Sequence, residues 1–231
     1  MGFRRRVLEL LLALLIGVAI GAATSVGQAH LSLPWSSLAN SASPWLLGGF
    51  VAGALQQRQR TGIAAGLLAC VTEVVAYYAV TQARGYPARG GEVAFWVVTA
   101  LIGGPVFGWG GWAWHRGPAR LRPVGAGLAG ATFLAEAVGT YDLRLHYEST
   151  VILYLLVGVA LTVAMTLTSA TVRRQLTTLM ASTVGFFIVG VLVYWLGLTA
   201  VAGSSFSAQS APAAAFESRS GYVSTLHKSA A

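Results

Sequence analysis

Residues 101–141 read LIGGPVFGWGGWAWHRGPARLRPVGAGLAGATFLAEAVGTY. An apolar run interrupted by Gly103-Gly104-Pro105 leads into Trp109, Trp112 and Trp114, then into a turn carrying Arg116, Arg120 and Arg122. A second apolar run follows, and a single acid, Glu136, stands in the middle of it. Tryptophans toward the end of a long apolar helix mark a membrane interface, and an acid inside such a helix is costly unless it faces a bundle interior. The stretch predicts a helical hairpin in a lipid bilayer with a polar group enclosed.

Composition agrees. Of 231 residues, 55% are hydrophobic and 10% charged, and the mean hydropathy is +0.67. A soluble domain carries about a quarter charged residues, so lipid has to solvate this surface. The 28 glycines suit helices packed through small residues. The net charge of +8 would ordinarily suggest nucleic acid. Here the arginines sit between apolar runs, so they read as topology signals and no nucleic-acid partner is expected. Cys70 is the one cysteine, which excludes an intramolecular disulfide.

The rest of the chain divides into similar runs. Residues 1–6, MGFRRR, precede an apolar run over 7–27, too long for the core of a signal peptide and read as an uncleaved first helix. Gly17, Gly21 and Ser25 recur every fourth residue and give it a smooth face, for a neighbouring helix of the chain or for a partner membrane protein. Residues 44–54 are too few to span alone, since about 20 are needed, and are completed from residue 38 onward. Further spans are expected over 63–83, 93–114, 124–143, 151–171 and 181–202. The expected fold is thus all-α, with seven transmembrane helices in a domain over residues 1–202: one N-terminal helix plus three parallel hairpins. Residues 203–231, rich in Ser and Ala, read as a disordered extracytoplasmic tail.

Charge sets the orientation. With the N-terminus inside, Arg4, Arg5, Arg6, Arg58, Arg60, Arg116, Arg120, Arg122, Arg173 and Arg174 face the cytoplasm. Arg84, Arg89 and Arg144 are left in outer loops, the bias expected of a bacterial inner-membrane protein. A weak internal repeat supports the hairpins. Residues 46–53, LLGGFVAG, resemble residues 101–108, LIGGPVFG, and Glu73 then stands opposite Glu136 after a two-residue shift.

Glu73 and Glu136 are the candidates for chemistry. Both fall near midspan, where they either bind a cation or a coupling proton, or hold helices together as bonded carboxyls. Tyr77, one turn from Glu73, and Thr132 and Thr140, flanking Glu136 at four-residue spacing, complete the expected site. Gly103-Gly104-Pro105 predicts a helix break or a packing kink near Leu101, and breaks in transporters aim backbone groups at substrate. No nucleophile elbow, phosphate loop or metal-ligand spacing occurs, so neither an enzyme nor a cofactor or metal site is expected.

The segment GGPVFGWGGWAWHRG, preceded by Tyr77-Tyr78 and followed by FLAEA, resembles an uncharacterised family of small polytopic membrane proteins from high-GC Gram-positive bacteria, over residues 44–141. Gly104, Pro105, Gly108, Trp112 and Glu136 match its pattern, and Glu73 departs from it. The resemblance implies the architecture and a bacterial membrane, and brings no activity. Two functions fit the residues. One is a small permease-like protein that binds or moves a solute or cation. The other is a non-catalytic subunit docking on a larger complex, such as a vitamin-type importer.

Overall fold

Helices form where the apolar runs are long, because lipid leaves the backbone no partner but itself. A computed structural model describes residues 3–88 and 90–209, with side chains over 7–88 and 90–193. Among the described residues every element is helical: α1 (Phe3–His30), α2 (Trp35–Ala39), α3 (Ala42–Ala54), α4 (Gln59–Ala83) and α5 (Gly90–Arg116) come first. After a short 3-10 turn (Ala119–Leu121) follow α6 (Arg122–Glu136), a π-helical segment (Ala137–Leu145), α7 (Glu148–Thr168), α8 (Ala170–Arg174) and α9 (Leu176–Gln209). The chain divides into two units, Met1–Val191 and Leu192–Ala231. The helix packing and both buried acids belong to the first unit. The tail expected from residue 203 begins within α9, and residues 210–231 lie outside the described residues.

Among the described residues, five helices are long and apolar enough to cross a bilayer: Val7–His30, Gln59–Ala83, Gly90–Arg116, Glu148–Thr168 and Leu176–Val193. Leu15, Ile102, Leu156 and Leu167 on them are each more than half exposed, a surface suited to lipid. This is a helical membrane protein. The other two expected spans are irregular. The α3 helix has 13 residues, about 20 Å at 1.5 Å per residue, and is separated from the five-residue α2 at Asn40 and Ser41. The α6 helix has 15 residues and passes directly into nine residues of π-helix.

The α4 helix packs against α1, α3 and α5, while α6 packs against α5, α7 and α3. Glycine allows the closest approaches. A methyl group on Gly53 would come within 2.0 Å of the Gly108 carbonyl oxygen, and one on Gly66 within 2.3 Å of the Gly104 carbonyl oxygen. Gly53 and Gly108 hold the same place in the two repeats, and the repeats meet there. Of the break or packing kink expected at Gly103, Gly104 and Pro105, the break is absent: the α-helix continues through all three residues. Proline removes one donor, and in a membrane bundle neighbouring helices and local adjustments absorb that loss. The glycines beside it serve contact, with Gly103 against Leu46 of α3 and Gly104 against Leu67 of α4.

Gly17, Gly21 and Ser25 are used inside the chain. Gly17 faces Thr72 and the Ala69 carbonyl, Gly21 faces the Glu73 carbonyl, and the Ser25 and Thr81 hydroxyls lie 2.8 Å apart. Contacts of Gly62 with Trp112, and of Gly125 with Trp114, bring the start of α4, the end of α5 and the start of α6 to one end of the bundle. The arginines of those turns therefore share an end.

Candidate functional site

The first turn of a helix leaves backbone N–H groups without partners. Ser41 precedes α3 in the extended conformation of an N-cap, yet its hydroxyl makes no bond to its own helix. The acceptor comes from α6. Glu136 Oε1 accepts from the Ala42 amide at 3.2 Å. Its Oε2 accepts from the Ser43 amide at 2.9 Å and from the Ser41 hydroxyl at 2.6 Å. The Ser43 hydroxyl lies 2.5 Å from the same oxygen and 3.1 Å from the Thr132 carbonyl oxygen. A carboxylate at the positive end of a helix is also favoured by the aligned peptide dipoles.

Counting along α6 from Arg122, Glu136 lies about 21 Å from the arginine-bearing end. Counting back along α3 from Ala54 gives about 20 Å. Both place the site inside a core ~30 Å thick. Glu136 is only 3% exposed.

The π-helical segment starts one residue after Glu136. Wider turns of this kind occur often at functional sites, because they re-aim side chains that α-geometry would point elsewhere. Tyr141 from this segment meets Tyr154 of α7, with ring centroids 4.8 Å apart, and Phe133 packs on Tyr154 at 5.6 Å. The Tyr154 hydroxyl sits by those of Ser41 and Tyr141 and near Glu136, but no hydrogen bond of normal geometry forms to it. Thr150, one turn earlier on the same face, is likewise fully enclosed with its hydroxyl unpartnered.

The second acid is differently placed. Glu73 is completely buried and neither carboxyl oxygen has a hydrogen-bond partner. It fills the notch at Gly48 of α3, where a methyl group would come within 2.1 Å of Oε1. An apolar groove of about 360 Å³ opens separately between α1 and α2, walled by Ile20, Ala23, Trp35 and Leu38, and no acid lines it.

The sequence of residues 2–200 matches a family described as a family of unknown function, DUF6518. The chain belongs to DUF6518. No curated protein and no solved structure matches it. The match is wider than the resemblance over residues 44–141, and takes in α1, α7 and most of α9.

In this DUF6518 protein the expected site residues part company. Tyr77 does not share a proton with Glu73: its hydroxyl donates to Gln28 Oε1 of α1, and its ring packs on Trp45 and Tyr78. Thr132 contributes its carbonyl, while its hydroxyl donates back to the Leu128 carbonyl at 2.8 Å. Thr140 is part-buried and its hydroxyl is unpartnered. Glu73 and Glu136 do not form one site, since Glu136 caps α3 at residues 41–43 and Glu73 touches it at Gly48. Ser41, Ser43, Tyr141 and Tyr154 are members of the site that sequence spacing does not single out. One local signal exists, the Ser-Ala-Ser-Pro run at 41–44, a helix start in form.

Proposed function

We propose that this DUF6518 protein is a seven-span, permease-like protein of the bacterial inner membrane, N-terminus inside, that moves a small solute with a proton carried on Glu136. The carrying observation is the place of the Ser43 hydroxyl, between Glu136 Oε2 and the Thr132 carbonyl oxygen. With Glu136 ionised, the hydroxyl donates to Oε2. With Glu136 protonated, Oε2–H donates to the serine oxygen and the serine turns its proton to Thr132. Two protonation states are accommodated without moving a heavy atom. Broken helices whose ends face polar groups at depth are common in solute carriers, and α2–α3 supplies one here.

In this reading α3 and α6 with its π-helical extension supply the remaining two spans, and the shared arginine end faces the cytoplasm. Glu73 is a second enclosed acid, held against the same helix, α3. A docking subunit would need a face other than Gly17, Gly21 and Ser25, which already pack on α4.

The test is infrared difference spectroscopy of the protein in lipid across a pH series. A carboxylic C=O band that grows as pH falls, and is absent in Glu136→Gln but present in Glu73→Gln, supports the reading. A pH-independent spectrum, or a titrating band that survives Glu136→Gln, rejects it.

A further inference from the structure

The turn from α5 into α6 is closed by its own backbone. The Gly117 amide donates to the Trp112 and Ala113 carbonyls at 2.9 and 3.2 Å, and the Leu121 amide to the Pro118 carbonyl at 2.9 Å. Gly117 is buried, and a methyl group on it would come within 2.5 Å of the Ala113 carbonyl oxygen, so the chain reverses there with little room to shift. Three arginines ride on this fixed turn. Arg116 and Arg120 are exposed, and Arg122 is half-buried. Arg122 Nε donates to the Gly117 carbonyl oxygen at 3.1 Å. That bond aims the guanidinium and leaves its two terminal nitrogens for another acceptor, a fork that matches two oxygens of one phosphate. Among the described residues no ion pair holds any of the three. A second basic turn flanks the first: α8, with Arg173 and Arg174 exposed, packs against α6, and the Ser182 hydroxyl donates to the Pro123 carbonyl oxygen at 3.3 Å. A topology signal needs only charge at this end, in any arrangement. An oriented guanidinium on a rigid turn exceeds that need. Depth says which phosphate: Trp109, Trp112 and Trp114, all half-buried, stand on the last turns of α5, the level of lipid headgroups.

We propose that the α5–α6 turn is a headgroup site for an anionic phospholipid, its phosphate held by the Arg122 fork with Arg116 and Arg120 beside it. The site is independent of Glu136 and of which side of the membrane the turn faces. A zwitterionic lipid brings its own ammonium to the same place, where the arginines repel it, so net charge sets the lipid class. Arg60 supplies a control. Gly62 of α4 meets Gly108 and Trp112, whereas Gly125 of α6 meets Gly110 and Trp114. Those contacts lie two residues apart on α5, about 200° round the helix. Arg60 therefore belongs to the same end of the bundle but to the opposite flank of α5.

The experiment is a thermal-shift titration of the full chain in nonionic detergent, with phosphatidylglycerol, phosphatidylcholine and inorganic phosphate as probes. A ligand that binds the folded state raises the melting temperature by mass action. Phosphatidylglycerol should raise it, and the other two should not. Arg122→Gln should weaken apparent phosphatidylglycerol affinity about tenfold, as expected when hydrogen bonds to a charged group are lost. Arg122→Lys keeps the charge without the fork and should lose most of the same affinity. Arg60→Gln should bind like wild type. If losing the Gly117 bond keeps the Arg122 variants from folding, the double variant Arg116→Gln/Arg120→Gln carries the test. It breaks no hydrogen bond among the described residues, and it should fold and bind phosphatidylglycerol more weakly than wild type. Equal losses in Arg60→Gln and Arg122→Gln mean diffuse attraction and overturn the proposal. So does an Arg122→Lys or double-variant titration identical to wild type. A response to phosphatidylcholine or inorganic phosphate as large as that to phosphatidylglycerol overturns it as well.

Discussion

Glu136 of α6 accepts from the amide of Ser43, the second residue of α3, at 2.9 Å, while Ser43's hydroxyl reaches the same carboxyl oxygen at 2.5 Å. One side chain thereby ties two helices and satisfies a helix start inside the membrane. The bond sets what each substitution there will do.

Glutamine at 136 looks conservative from sequence, because it has the shape of a neutral acid. In this setting it is not. A protonated carboxyl oxygen still accepts from an N–H, whereas an amide nitrogen does not. Glu136→Gln orphans the Ser43 amide or, flipped, the Ala42 amide, at a cost of about 1–3 kcal/mol. Equilibrium unfolding in matched micelles should show that loss. Unfolding at the wild-type midpoint would mean that the four bonds contribute nothing.

Glu73 should respond in the opposite sense. Its oxygens are buried without partners, so Glu73→Met removes a polar burial cost of about 1–3 kcal/mol and retains the volume. The variant should melt higher than wild type. A lower melting temperature would reveal a partner for Glu73, a bound water or ion.

Close contact makes Gly53 and Gly185 a matched pair. A methyl group on Gly53 meets the Gly108 carbonyl, but nothing lies within 4 Å of one on Gly185. Gly53→Ala should cost about 1–3 kcal/mol through overpacking, and Gly185→Ala should stabilise by roughly 0.5–1 kcal/mol through backbone entropy. Monodisperse yield from size-exclusion chromatography reads both. Equal yields would reject the backbone-contact account.

Orientation has its own test. Reporter fusions after Arg60, Arg122 and Arg174 should report a cytoplasmic position and one at Gly203 an external position. An external signal at Arg60 would show that α2 and α3 together do not span.

Much of the fold is legible locally. A lone acid in a run of about twenty apolar residues has nowhere to go but inward, which is why Glu136 stands out, and the Arg-bearing turns mark the helix ends. What Glu136 faces is not legible, because Ser41 and Ser43 lie more than ninety residues earlier and meet it only through tertiary packing. Tyr77 misleads for a related reason: four-residue spacing places it above Glu73 on one helix, but α1 offers Gln28 as a better acceptor. At Pro105 a local rule meets a tertiary override. Proline disfavours helix, yet the flanking glycines press the backbone of α5 onto α3 and α4 and the helix continues.

The nine π-helical residues after Glu136 carry a consequence for insertions and deletions. A π-turn is an α-turn with a residue to spare, closing its bonds five residues apart where an α-helix closes them four apart. A stretch wound this way tolerates loss of one residue by rewinding as α, without turning the flanking helix on its axis. Shortening by one residue between Ala137 and Leu145 leaves the Glu136 cap and α7 in register, whereas the same deletion within α6 rotates Glu136 about 100° away from α3. Length variation along this hairpin should therefore gather on the far side of Glu136.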